Sequence, residues 1–131
     1  MYLERATRYA GAVEHAELAL PKSSRAPEEE ALARYLDGRR RALLVILDER
    51  GKSFESRAFA EMLRGLQDQG ATEVVFAVGG PHGYSPEMKK RAVMSWSLSP
   101  LTMAHELAAT VAAEQIYRAL TILNGHPYHN D

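Results

Sequence analysis

An open parallel α/β sheet with helices on both faces is the fold this sequence predicts, and three observations carry the prediction. Residues 42–48 form an apolar run with nothing polar before Asp48, and residues 73–79 give a second strand of the same kind, so both read as strands buried on two faces. Segments with helical spacing alternate with them, as in the stripe of Phe59, Leu63 and Leu66. The length, 131 residues, suits one domain with a modest core, for which association with a second copy is a natural way to bury more.

In chain order, residues 2–10 read as a short helix ended by Gly11, and Ala16, Leu18 and Leu20 alternate with polar or small neighbours as a weak strand does. Residues 21–27 hold turn and loop formers, including Pro21 and Pro27, and read as a mobile connection. Residues 28–36 form a helix whose first-turn acids complement the helix dipole. Ser56 is the expected N-cap of the next helix, and Ser85 and Pro86 are expected to open a further short one as cap and first residue. Residues 94–99 make the third strand and residues 101–123 a long helix without internal Gly or Pro. Its alanines (Ala104, Ala108, Ala109, Ala112, Ala113, Ala119) face several ways, which suits packing on the sheet and on a partner subunit at once. Gly125 and Pro127 stop that helix before the tail.

Bulk properties narrow the class. A formal net charge of −1 lacks the basic balance of a free-standing nucleic-acid binder. With no cysteine there is neither a disulfide nor a thiolate metal site, which suits a reducing compartment. The opening residues carry no apolar signal core, and the longest aliphatic run, residues 42–47, is too short to span a bilayer, so the chain is expected in the cytoplasm.

Ligands of open parallel sheets bind at the carboxyl ends of the strands. That rule gathers Leu47 and Asp48, the loop Gly79-Gly80-Pro81-His82-Gly83, and Leu98-Ser99-Pro100-Leu101-Thr102-Met103 onto one rim. The glycine-rich loop is either a bare backbone that a ligand approaches or a connecting turn; it has neither a dinucleotide fingerprint nor a P-loop lysine. Pro100 forces the chain out of the strand, and the flanking leucines and Met103 suit a flat apolar group such as adenine. Trp96 reads as core. His105 and Glu106 open the long helix, where a histidine is more often a surface or capping residue than a catalyst. His126 and His129 have no acidic partner at metal-ligand spacing, and no metal is expected. Arg39-Arg40-Arg41 and Lys89-Lys90-Arg91 read as solvated faces that are also able to touch phosphate.

Several of these stretches together resemble one family. Leu47-Asp48-Glu49-Arg50-Gly51-Lys52, Val78-Gly79-Gly80-Pro81-His82-Gly83 and Ser95-Trp96-Ser97-Leu98-Ser99-Pro100-Leu101-Thr102, completed by His126-Pro127-Tyr128-His129, are similar to the ribosomal RNA large subunit methyltransferase H family of the SPOUT superfamily. The likeness runs from residue 42 to the end. It implies a C-terminal trefoil knot, an exception to the rule that chains do not thread loops. It implies S-adenosyl-L-methionine as cofactor, held by Leu47, Gly79, Leu98, Ser99, Pro100, Leu101, Thr102 and Met103. It further implies methylation of N3 of a pseudouridine in 23S ribosomal RNA, on the assembled ribosome, by a homodimer with a composite active site. The ribosome would then supply binding surface that the chain's own charge does not. By similarity, His105, Arg118, Tyr128 and His129 take the catalytic roles, with the base left open among them.

Two departures accompany the likeness. Chains of the family ordinarily begin with a further strand and loop, so an opening strand is expected to be lacking here. They also end in a basic residue where Asn130 and Asp131 stand, which implies weaker RNA contact at the tail. The alternatives are a non-catalytic knotted protein that binds ribosome or cofactor, and a generic nucleotide-binding α/β protein.

Overall fold

The structure is a computed structural model, whose described residues are 25–39, 41–71, 73–78 and 83–130, with side chains described from Glu29 onward. The helix expected at residues 2–10, the strand at 16–20 and most of the glycine-rich loop, residues 79–82, lie outside them. The described elements run α1 (Arg25–Asp37), β1 (Ala42–Lys52), α2 (Ser56–Asp68), β2 (Glu73–Val78), α3 (Pro86–Arg91), β3 (Met94–Trp96) and α4 (His105–Leu123).

The apolar runs become parallel strands. β1 lies beside β2 from Ala42 opposite Glu73 to Leu47 opposite Val78, and beside β3 from Val45 opposite Met94 to Leu47 opposite Trp96. The order is β2-β1-β3, each strand reaching the next in sequence through a helix, as parallel pairing requires.

Being central, β1 is buried on both sides. Leu44, Val45 and Ile46 are all buried, and alternation along the strand sends them to opposite faces. Val45 joins Phe59, Ala60, Leu63 and Leu66 of α2, Trp96 of β3, and Ala112 and Ala119 of α4. Leu44 and Ile46 join Leu32 and Leu36 of α1, Ala77 of β2 and Met88 of α3. The sheet thus has α2 and α4 on one face and α1 and α3 on the other. Phe59 stacks on Trp96 with ring centroids 4.1 Å apart, and Phe76 meets the indole edge-on at 5.7 Å. Trp96 is core, as its sequence context implied.

Several boundaries depart from the sequence expectation, each for a local reason. α1 begins at Arg25, so residues 25–27 are helical rather than loop; Pro27 falls in the first turn, where a missing N–H breaks no intrahelical bond. β1 continues past Asp48 to Lys52, and its register against β3 slips between Leu47 and Lys52. Glu55 rather than Ser56 is the N-cap of α2, because the Ser56 hydroxyl donates to Gln115 Oε1 on α4 at 3.0 Å. β3 stops at Trp96 and α4 starts only at His105: between them the hydroxyls of Ser97 and Thr102 bond to Glu49 of β1 where the sequence suggested strand and helix. Ser85 caps α3 as expected, accepting from Met88 N–H at 3.2 Å with Pro86 following, while its own N–H donates to Glu29 of α1 at 2.6 Å. Among the described residues no helix is long and apolar enough to cross a membrane.

Candidate active site

Leu47 stands in register with Val78 and Trp96 at the carboxyl ends of the strands. Just beyond, β1 and β3 approach closely: a Cβ on Gly51 would lie 2.6 Å from the Ser95 carbonyl carbon and 2.9 Å from Trp96 N, so only glycine fits.

After Trp96 the chain forms a loop tied down by hydroxyls. Buried Ser97 shares its hydroxyl proton between the carbonyls of Glu49 and Ser99, both at 3.1 Å, and its N–H donates to the Lys52 carbonyl at 2.9 Å. Ser99 Oγ accepts from Leu101 N–H at 3.1 Å, and Thr102 Oγ1 donates to Glu49 Oε2 at 2.7 Å. Pro100 and Leu101 project into solvent, whereas Leu98 and Met103 are half-buried. Leu98, Thr102 and Met103 enter no backbone–backbone bond among the described residues. Of the rim expected from the sequence, Leu47 stands in β1 opposite Val78 and Trp96, and Leu98, Ser99, Pro100, Leu101, Thr102 and Met103 follow β3; Gly79 lies outside the described residues.

Asp48 fastens this rim to α3. Its Oδ1 accepts from Arg50 N–H at 3.0 Å, and its Oδ2 lies 3.2 Å from Lys89 Nζ. The Arg50 backbone bond holds the carboxyl below the usual aspartate range; partial burial opposes that, and Lys89 adds to the lowering.

A second cluster forms at the other end of α4. Gly125, at φ 71°, takes the left-handed conformation that ends the helix, with Gly125 N–H on the Ile122 carbonyl at 3.2 Å and His126 N–H on the Thr121 carbonyl at 2.9 Å. This pair of bonds is the Schellman arrangement, and it turns the tail back along the helix. Arg118 then meets the tail. Its Nη1 lies 3.0 Å from His129 Nδ1, and its guanidinium carbon lies 4.8 Å from the Tyr128 ring centroid. A guanidinium only donates, so Nδ1 is the acceptor of this contact. Tyr128 also packs edge-on against Tyr117 at 4.7 Å. Glu114 orients the arginine from one turn back, with Nε 2.9 Å from Oε1 and Nη2 3.2 Å from Oε2.

Arg118, Tyr128 and His129 are thus in mutual contact, and His105 is not with them. It is exposed in the first turn of α4, 13 residues from Arg118, a rise of about 20 Å along the helix. Glu114 and Tyr117 had no place in the sequence reading, although Glu114 and Arg118 at i, i+4 were a visible helical pair. Within the basic triplets, Arg39 pairs with Glu73 at 3.3 Å, Lys89 with Asp48, and Arg91 with Asp37 at 2.8 Å. An open groove of about 520 Å³ lies between Leu36, Arg39, Ala42 and Val93, at the amino ends of the strands and away from both clusters. Among the described residues, no three His, Asp or Glu side chains converge as a metal site would need.

A parallel sheet with helices on both faces, a hydroxyl-tied loop after its last described strand and a tail folded onto the final helix together form an α/β architecture consistent with the SPOUT methyltransferase family. The chain belongs to that family: the family model described as "Predicted SPOUT methyltransferase" matches residues 1–129. Among relatives, it is 49% identical over 88 residues to the Ribosomal RNA large subunit methyltransferase H of Rhizobium etli, a match covering 67% of this chain and 55% of that one. The protein of the same name from Brucella anthropi is 47% identical over 88 residues, again 67% and 55% of the two chains. That from Rhodopseudomonas palustris is 45% identical over 101 residues, 77% of this chain and 63% of its own. The matched part thus spans a little over half the length of these relatives, and the family resemblance read from the motifs holds.

Proposed function

We propose that the chain transfers a methyl group from S-adenosylmethionine to N3 of a pseudouridine in the 23S ribosomal RNA of the assembled large subunit, acting in the cytoplasm as a homodimer. The observation that carries this reading is the convergence of Arg118, Tyr128 and His129 into one contact set. They are three of the four positions that the family resemblance singles out, brought together by the turn at Gly125. The relatives' shared name supplies the substrate class.

The rim fits such a cofactor. Half-buried Leu98 and Met103 offer apolar surface to a purine, and the backbone groups of Leu98, Thr102 and Met103, which enter no backbone–backbone bond among the described residues, suit its hydrogen-bonding edge. In this reading Leu47, Gly79 and the loop through Met103 hold the cofactor within the trefoil knot. The cofactor, when bound, supplies an electrophilic methyl group on a sulfonium. The protein's share is to orient the acceptor and help remove its proton, because an imide nitrogen is a weak nucleophile while protonated. Arg118 is permanently charged, so it serves as the cation that stabilises charge on the neighbouring carbonyl oxygens. The base then lies among His105, Tyr128 and His129.

Distance supports the homodimer. The cofactor loop enters α4 at its first turn and the tail cluster sits near its last, so one protomer holds the two parts about 20 Å apart. A second copy with α4 antiparallel to the first sets the tail of each beside the loop of the other.

The test is transfer of labelled methyl from S-adenosylmethionine to ribosomes lacking the modification, with the modified nucleoside identified by mass. Label at pseudouridine N3 supports the reading. Cofactor binding without transfer would leave the non-catalytic knotted binder in its place.

A further inference from the structure

We propose that Glu49 is a positioning residue that closes the cofactor loop at both ends, with a fixed hinge at Ser97 and a releasable latch at Thr102. The proposal rests on the reading of residues 98–103 as the cofactor loop. Its basis is that one residue meets the loop twice. The Glu49 main-chain carbonyl accepts from Ser97 Oγ at 3.1 Å, and its carboxylate accepts from Thr102 Oγ1 at 2.7 Å.

The two attachments stand in different environments. Ser97 is 3% exposed, and its N–H is also bonded to the Lys52 carbonyl, so this end cannot open without disturbing the pairing of β1 with the chain after β3. Thr102 and Glu49 are both exposed, so water competes for their bond and it opens at small cost. Glu49 itself is fixed by its neighbours in sequence. Asp48 is turned onto Arg50 N–H and paired with Lys89, and Gly51 is pressed against Ser95 and Trp96. Latched, the loop is confined over the rim; released, it swings about Ser97 and lets a ligand pass. Glu49 therefore acts on the cofactor through Thr102 without touching it.

The test combines titration calorimetry of the full chain with S-adenosylmethionine and hydrogen exchange of residues 98–103 in its absence. Glu49→Ala and Thr102→Val are each expected to weaken binding about five- to tenfold and to speed exchange in the loop. The double variant should lose little more than either single one, since both remove the same bond. Glu49→Gln keeps an oxygen for the threonine hydroxyl and should restore both affinity and slow exchange. Parental affinity and exchange in Glu49→Ala would overturn the latch and leave the methyltransferase reading intact. If Glu49→Gln failed as badly as Glu49→Ala, the carboxylate charge would be acting on the ligand directly, which also overturns the positioning role. If the unmodified chain bound no S-adenosylmethionine, the cofactor reading would fall, and exchange in the ligand-free variants would still decide the latch: faster in Glu49→Ala and Thr102→Val but not in Glu49→Gln supports it, and no change refutes it.

Discussion

The two ends of α4 are built on different principles. At the C-terminal end, partly buried side chains form a continuous run: Ser56 to Gln115, Gln115 to Glu114, Glu114 to Arg118, and Arg118 to His129. Glu114 and Arg118 are only 16% and 24% exposed, so their bonds are sheltered from competing water. At the N-terminal end, Ala104 caps the helix without a side-chain bond, and His105, Glu106 and Leu107 are exposed. There Leu101 and Leu107, at 73% and 55%, present apolar surface to solvent. A pre-organised cluster at one end faces an open, apolar one at the other. The second kind of surface is what a partner covers. In the homodimer proposed above, the difference lets one helix serve two active sites, each made from opposite ends of two copies.

Removing residues 126–131 tests the ordered end most severely. Methyl transfer should fall at least about a hundredfold while cofactor affinity and dimerisation stay close to the parent, because the tail leaves the loop and the outer face of α4 unchanged. Full turnover by the shortened protein on ribosomes would show that the cluster has no catalytic share. A smaller loss is expected from Glu114→Ala, about tenfold in turnover, since Arg118 keeps its charge but loses the acceptor that aims it at His129. Equal turnover would mean that the tail alone orients the arginine.

Mixing sharpens the comparison further. Met103→Arg blocks the loop end and tail deletion removes the other, so neither homodimer should be active. Co-expressed, half of the dimers pair one of each and regain one intact site, which gives about a quarter of parental activity. Complete silence of the mixed population, with heterodimers present by mass, would show that each site is built within one chain.

The same contrast governs what was legible in the sequence. The strands and the two-sided burial followed from the run at residues 42–48 and the stripe of Phe59, Leu63 and Leu66, because burial and periodicity are local signals. Tertiary bonds were not legible: Ser56 looks like a cap and serves as a partner for Gln115, and Thr102 looks helical but lies before α4, bonded to Glu49. In the tail, Gly125 signalled the helix end, yet nothing in local sequence states that the turn returns His129 to Arg118. The family resemblance supplied that grouping, since it carries information about contacts that periodicity lacks. It did not single out Glu49 or Glu114, which act through other residues rather than as motif positions in their own right.

The smallest expected effect belongs to the loop end, at Asp48. Asn in its place can still accept the Arg50 N–H, so Asp48→Asn removes the charge that faces Lys89 and little else. Lys89 is 40% exposed, which limits the pair's worth through screening, and the melting temperature at neutral pH should fall by about 2 °C or less. The sign of the pH dependence follows from the direction of the shift. The folded-state carboxyl is held below its unfolded value, chiefly by the Arg50 backbone bond, so its stabilisation is fully present above the ordinary aspartate value of about 4 and is lost as pH falls through the lower folded value. The difference in melting temperature between parent and Asp48→Asn should therefore be flat from neutral pH to about pH 5 and shrink below about pH 4. Added salt should reduce the Lys89 part and spare the backbone bond. A difference that grows as the pH is lowered would mean that the carboxyl is stabilised in its protonated form, and the tie between this rim and α3 would then have to come from groups other than the Asp48 charge.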